Sequence, residues 1–499
     1  MHERFDGRGW GFVSAYRHWR VCPRALLRTA VVAIGLSSVL ALGGRADTIV
    51  LKNGKRIVAL SVVEDGDKIR YETAAGQLTL PRSIVDHIER GPVGVLPDSP
   101  AATAANLAIA PPVFGSDAEV EKATVHDGSI DRNYLSHVES EARSGDAKAN
   151  ARAARALHAA SQFELAHGDM EHALNDERSA LNYVPDDPQI LMNVAYLHLK
   201  RSEYKASMEY LERARRVAPD DPEIAKLEGW AYYGMVKLDQ AVAEWKRALA
   251  IAPDPEVQAA LAKAERDRLA EQNYRENESI HFTLHYDGTS EPELAKEMLR
   301  ALEMHFGAIE SELNYTPPDS IGVVLYTQQA FADITRAPSW VGALNDGRIR
   351  VPVQGLTSLT AELSRILKHE LTHSFVQQKT HGRAPVWLNE GIAQWMEGTR
   401  SKENAAVLLQ VYDEKQAMPL GEMENSWMQL PTAVASYAYA WALANTEYIV
   451  QTDGIDDVQK ILNLIGQGSS TEAAIQEVLH LSYEELEAET VKYLRKTYM

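Results

Sequence analysis

One cysteine occurs in 499 residues, Cys22, and it lies ahead of an apolar run near the amino terminus. A chain so nearly free of cysteine builds no disulfide framework and no cysteine-ligated zinc site. Long apolar runs are also missing. The run from Ala30 to Leu42 falls well short of the roughly 20 apolar residues that a membrane-spanning helix needs. Positive charge is in deficit, with 51 basic against 70 acidic residues and a net charge of −19. That balance excludes nucleic acid as the expected partner.

The short apolar run follows Arg17, Arg20, Arg24 and Arg28 and precedes Gly43-Gly44-Arg45-Ala46. Small residues at Gly44 and Ala46 suit cleavage after Ala46, so 1–46 reads as a secretory signal. Cys22 precedes the run, where a lipoprotein cysteine would follow it. Loss of 1–46 would remove seven arginines and two acids and bring the charge to −24. The expected location is periplasmic or secreted, from a bacterium, with no membrane span after cleavage. Export without cysteine fits a core that needs no covalent staples.

The remainder divides into several domains by composition and period. Residues 47–90 alternate apolar and polar around Asn53-Gly54 and Ala75-Gly76, as in a small five-strand, SH3-like β domain. Residues 91–124 are Pro/Ala-rich, the composition of a linker. Pro185, Pro219 and Pro253 then recur at one constant interval, each in a Pro-Asp phrase. That interval is the tetratricopeptide period, so 125–277 reads as an all-α repeat array, with 254–277 as its charged capping helix. Such an array either binds a protein partner or serves as a scaffold. Residues 278–499 open on an alternating strand, Ile280–Tyr286, whose His281 and His285 read as hydrogen-bonded strand histidines. A helix over about 291–313, strands at 321–326 and 347–353, and further helices make this part α+β.

Within it stands His369-Glu370-Leu371-Thr372-His373, followed downstream by Glu390 in Trp387-Leu388-Asn389-Glu390-Gly391-Ile392-Ala393. Spacing by four puts both imidazoles on one face of a helix, where a single Zn²⁺ can reach them. Leu363, Leu367, Leu371 and Phe375 form an apolar stripe on the opposite side. Glu390 offers a third ligand and leaves a fourth position open, the pattern of a catalytic zinc site. Glu370 lies where it can hold the proton of a zinc-activated water.

The motif pair resembles the gluzincin metallopeptidases, a group that includes thermolysin-like and aminopeptidase-N-like enzymes. It is most similar to bacterial peptidase MA-like domains, many of which are joined to tetratricopeptide repeats. The resemblance covers about 278–497. It implies a zincin-like fold, zinc ligands His369, His373 and Glu390, and Glu370 as general base. It also implies a tyrosine or histidine from a later helix that stabilises the developing oxyanion. Ser436–Trp441 matches the tyrosine-bearing helix, with Tyr437 aligned best and Tyr439 on another side. Asn389 is expected to hydrogen-bond around the ligands. An edge strand beside the cleft is implied at Arg348–Val353, with Pro352 favouring an edge, to pair with extended substrate. The phrase Gly421-Glu422-Met423-Glu424-Asn425 resembles an exopeptidase signature but follows the metal motif, so no amino-terminus-binding role comes with it.

Two functions therefore stand. One is an exported zinc peptidase acting on peptide or protein substrates, with the repeats recruiting substrate or partner. The other is a repeat-based interaction or scaffold protein whose peptidase-like domain is inactive.

Overall fold

The computed structural model describes residues 47–51, 56–59, 61–66, 68–73, 76–82, 85–89, 112, 117–287, 292–326, 344–345, 347–353, 356, 358–425, 427, 430 and 432–499. The expected signal segment, the Asn53-Gly54 turn and most of the expected linker lie outside these. The described chain is mostly helical, with a strand region at its start and a mixed sheet in its later part.

Six strands, β1 (Asp47–Leu51), β2 (Arg56–Ala59), β3 (Ser61–Asp65), β4 (Lys68–Thr73), β5 (Gly76–Pro81) and β6 (Val85–Glu89), occupy 47–89. They form two antiparallel three-stranded sheets, β2-β1-β6 and β3-β4-β5. Five strands were expected. The difference arises because the stretch 56–65 splits: its first half pairs with β1 and its second with β4.

Helix α1 (Ala118–Thr124) and the hairpin of β7 (Val125–His126) and β8 (Ser129–Ile130) come next, so the end of the expected linker is folded. After α2 (Arg132–Ala142) come paired helices: α3 (Ala147–Ala166) with α4 (Met170–Ala180), α5 (Pro188–Lys200) with α6 (Tyr204–Val217), and α7 (Pro222–Gly234) with α8 (Leu238–Ile251). Helices α4, α6 and α8 start at Met170, Tyr204 and Leu238, the interval of the Pro-Asp phrases. Those phrases do two jobs. Their first proline follows one helix, while Asp187, Asp221 and Asp254 cap the next and a proline takes its first position. Close approach within the third pair depends on Gly229, where a Cβ would sit 2.3 Å from Trp245.

The single helix α9 (Pro255–Glu271) leads into β9 (Tyr274–Glu278), so the sheet starts ahead of the expected boundary at 278. Strand β10 (Phe282–Asp287), α10 (Pro292–Leu313), β11 (Ile321–Tyr326), β12 (Leu344–Asn345) and β13 (Ile349–Pro352) follow. Sheet order is β12-β13-β11-β10-β9, with β11 parallel to both neighbours and antiparallel strands at the flanks. Over Ile349 and Arg350, strand β13 is therefore not the edge that was expected. Strand β12 pairs alongside its first half and takes the outer position.

Helices α11 (Ala361–Lys379), α12 (Val386–Glu397), α13 (Ala405–Asp413), α14 (Thr432–Thr452), α15 (Ile455–Gly466), α16 (Thr471–Leu479) and α17 (Tyr483–Tyr498) complete the chain. The capping box from Ser482 to Glu485 opens α17 as its sequence requires. Among the described residues, no helix is long and apolar enough to cross a membrane.

Alternation along the strands separates two faces. Phe282, Leu284, Val323, Ile349 and Val351 pack with Phe306, Leu363, Leu367 and Phe375 in one apolar core. The other face carries Arg348 and Arg350, both fully buried, and Tyr326. Helix α9 meets them with Asp267 and Glu271. Arg350 donates to Asp267 Oδ2 at 2.9 Å, Arg348 donates to Glu271 Oε2 at 2.7 Å, and Tyr326 donates to Glu271 Oε1 at 2.6 Å. Burial alone would raise the Glu271 carboxyl. Arg348, His285 and Tyr326 overcome it and hold the group at about 2. Its folded value thus lies below the unfolded 4.5, so the folded state is stabilised above pH 4.5 and loses that contribution as pH falls towards 2. The contribution is on the order of 3 kcal/mol. Urea midpoints measured down this range should fall steeply, and Glu271→Gln should flatten that fall.

Candidate metal centre

Helix α11 is capped by Thr360, whose hydroxyl accepts from the Leu363 N–H at 3.0 Å. Its stripe of Leu363, Leu367, Leu371 and Phe375 is wholly buried, which fixes the helix's rotation. His369 and His373 then project from the other side, with ring centroids 4.7 Å apart and planes at 88°. Helix α12 brings Glu390 to them. Its Oε2 lies 3.5 Å from His369 Nε2 and 3.7 Å from His373 Nε2. Gly391 makes that approach available. A Cβ there would meet Thr446 Oγ1 at 2.1 Å and the Ala442 carbonyl at 2.5 Å, so α12 crosses α14 in backbone contact.

The three donor atoms fit a divalent cation. They lie within 4.8 Å of one another. Ligands held tetrahedrally at zinc distances stand roughly 3.4 Å apart, close to the two spacings observed. Glu390 Oε2 is buried and has no hydrogen-bond partner among the described residues. A buried carboxylate oxygen without a donor is costly, and a cation facing it removes the cost. The remaining ring nitrogens are oriented by oxygen acceptors. His373 Nδ1 lies 2.9 Å from Asn389 Oδ1, so Asn389 sits where its expected role needs it. His369 Nδ1 lies 3.1 Å from Glu397 Oε2, an ion-pair contact bent away from an ideal hydrogen bond. Protons on both Nδ1 atoms leave both Nε2 lone pairs free for an ion.

Glu397 was missed in the sequence. It lies two turns after Glu390 along the same face of α12, and that spacing was the available signal. Arg365 donates to its Oε1 at 2.6 Å. Burial alone would lower the His369 imidazole, but Glu390 and Glu397 push it up to about 10. Burial would raise Glu390, yet His373 and His369 hold it below the ordinary carboxylate range. Glu370 goes the other way: burial raises it, Glu390 and Glu397 add to the rise, and the two histidines oppose it. The backbone carbonyl of Glu370 accepts from Asn345 Nδ2 at 2.8 Å, which ties the helix to β12.

Tyr437 and Tyr439 both lie on α14, but they face different charges. Tyr437 stacks on Trp441 at 6.3 Å; burial and the Glu487 carboxylate push its hydroxyl up. Tyr439 is pushed up first by Glu390, then by burial and by Glu370. The carboxylates of the candidate site thus act on the Tyr439 hydroxyl, and that of Glu487 on the Tyr437 hydroxyl. Two steps along a helix turn a side chain by about 200°, which separates them. Gln394 fixes the crossing, donating to the carbonyls of Glu390 and Tyr439. His281 and His285 lie elsewhere, bonded to Glu303 and to Glu271 and Glu276. The Gly421–Asn425 phrase is structural, since the Glu424 carbonyl accepts from the Val386 N–H at the start of α12.

Residues 314–496 match the Peptidase MA superfamily. The matched segment contains α11, α12 and α14 and hence every residue of the site. No curated protein matches the chain. Solved structures similar to it include "MamA MSR-1 C2", at 14% identity over 28% of this chain and 84% of that one, TM-score 0.22. Another is "MamA RS-1 ArsTM double mutant", at 19% identity over 27% and 85%, TM-score 0.21. Likeness at that level bears on neither the fold nor the function of the Peptidase MA segment.

Proposed function

We propose that the chain is an exported zinc peptidase in which His369, His373 and Glu390 hold the metal and Glu370 is the general base. The observation that carries this is the buried Glu390 Oε2, which takes no hydrogen bond among the described residues and lies within ion-pair reach of two imidazole nitrogens. When bound, zinc supplies a Lewis acid that polarises a peptide carbonyl and makes water acidic near neutral pH. Glu370, only 8% exposed and raised by burial, accepts a proton from the attacking water. It then returns that proton to the leaving amine nitrogen as the carbon–nitrogen bond breaks. The Tyr439 hydroxyl, kept protonated by the nearby carboxylates, donates to the developing oxyanion. The outer side of β12 takes extended substrate by strand addition. Export rests on the arginine-rich start, the short apolar run and the small residues before Asp47.

The test is digestion of casein and a mixed peptide library by zinc-loaded and chelator-treated protein. Cleavage only in the loaded sample supports the proposal. Zinc binding with no cleavage of any peptide favours the scaffold alternative.

Two substitutions probe the site further. Tyr439→Phe should lower kcat by about 10²-fold with little change in KM, while Tyr437→Phe stays near wild type. Steady-state kinetics on one cleaved peptide decides between the two tyrosines. Glu397→Gln should weaken zinc binding by roughly 10- to 100-fold, read by competition with a chelating dye, because His369 loses its charged acceptor.

A further inference from the structure

The tight turns inside the helix pairs share one feature at the repeat period. Gly168, Ser202 and Val236 are equivalent positions in successive repeats, and their φ angles are +82°, +60° and +63°. Each turn meets the sheet-and-helix unit that carries the candidate metal centre. At the first, the Arg383 guanidinium lies over Gly168, where a Cβ would sit 2.1 Å from Nη1. Arg383 is itself held by the carbonyls of Ile465 and Gly468 at 3.1 and 2.8 Å. At the second, the Lys205 N–H donates to Asp319 Oδ2 at 3.1 Å. There Ser202 and Tyr204 line a polar cleft shared with Asn345, Ser374 and Gln378. At the third, a Cβ on Gly322 of β11 would come within 2.4 Å of Val236 Cγ2, so the valine fills the notch that the glycine leaves.

Val236 is the informative member. A β-branched residue in the left-handed region is a genuine outlier, and a free turn would favour glycine or asparagine. Such strain persists only where the surroundings demand the side chain, and here Gly322 receives it. The last helix adds a fourth contact, through Asp267 and Glu271 beneath Arg350 and Arg348. The cleft beside the second turn is lined on its far side by Ser374 and Gln378 of α11 itself. Asn345 bonds both the Glu370 carbonyl and Ser374 Oγ, at 2.8 and 2.7 Å.

We infer that the repeat turns seat the helix bearing His369 and His373, so that the array is a positioning part of the same folded unit and not a tethered recruiting arm. Its outer surfaces therefore keep one orientation relative to the metal centre. The docking holds whether or not the unit hydrolyses peptides. Its effect on the metal rests on the ligand assignment above.

The experiment uses the full chain and a cycle of Gly322→Ala, Val236→Gly and both together. Calorimetry without metal should show the repeat array and the unit carrying the candidate metal centre unfolding in one transition in the wild type, whatever the strand region at 47–89 adds. Gly322→Ala should lower its midpoint by about 5 °C, because the new methyl displaces Val236. Adding Val236→Gly should restore most of that loss. Zinc affinity measured well below unfolding should weaken several-fold in Gly322→Ala and recover in the double variant. Separate transitions for the array and that unit, or a Gly322→Ala loss that Val236→Gly leaves untouched, overturns the docking. Zinc affinity unmoved by Gly322→Ala overturns the positioning role. Should the wild type bind no zinc at all, the ligand assignment fails, while the calorimetric cycle still decides the docking.

Discussion

Glu370→Gln is expected to reduce peptide hydrolysis by roughly 10³-fold while leaving zinc bound. The two side chains have nearly the same shape, so the amide fits where the carboxylate was. The candidate ligands reach one another without Glu370: Glu390 Oε2 lies beside both Nε2 atoms, and Glu397 and Asn389 hold the opposite ring nitrogens. The helix should keep its place, since Asn345 bonds the main-chain carbonyl of residue 370 and not its side chain. What disappears is a group able to take and return a proton. Burial raises the Glu370 carboxyl, with Glu390 and Glu397 adding to the rise. The measurement is single-turnover cleavage of one defined peptide, with metal content assayed on the same sample. Cleavage within tenfold of wild type at full zinc occupancy would remove Glu370 from the base role.

Asp267→Ala is expected to destabilise the chain by about 3–5 kcal/mol. Asp267 is fully buried and accepts from Arg350 at 2.9 and 3.2 Å and from the Tyr233 hydroxyl at 2.9 Å. Arg350 is fully buried too. A guanidinium cannot shed its charge by deprotonation, so without its partner it stays charged in a site closed to water. Arg348 is no substitute, for it is another cation and its Nη1 stands 3.6 Å from Asp267, too far for a hydrogen bond. Urea unfolding gives the loss. Replacing both members, Asp267→Leu with Arg350→Met, should recover much of it, because the penalty comes from stranding one charge. A loss under about 1 kcal/mol in the single variant would mean that water reaches the pair.

These outcomes depend on different ranges of information. The sequence alone determined what local periodicity encodes. Histidines four apart share a helix face, the recurrence of the Pro-Asp phrases sets the spacing of α4, α6 and α8, and those same phrases start helices. The candidate ligand carboxylate was legible from the short phrase Asn389-Glu390-Gly391, whose glycine proves to sit at the crossing with α14. Tertiary structure decided what depends on which surfaces meet. Glu397 became a partner of His369 only when α12 lay along α11. Which of Tyr437 and Tyr439 feels the carboxylates of the candidate site follows from the rotation of α14, which is set by its packing and which two alternating tyrosines cannot specify. The first half of β13 lost its place as the edge to β12, a strand too short to register as a pattern. Asp267 and Glu271 lie in the stretch read only as a charged capping helix, and the sheet turns two arginines towards them. Backbone geometry acts over a few residues and leaves its mark in order and spacing, whereas burial and charge pairing act between segments whose juxtaposition no single segment records.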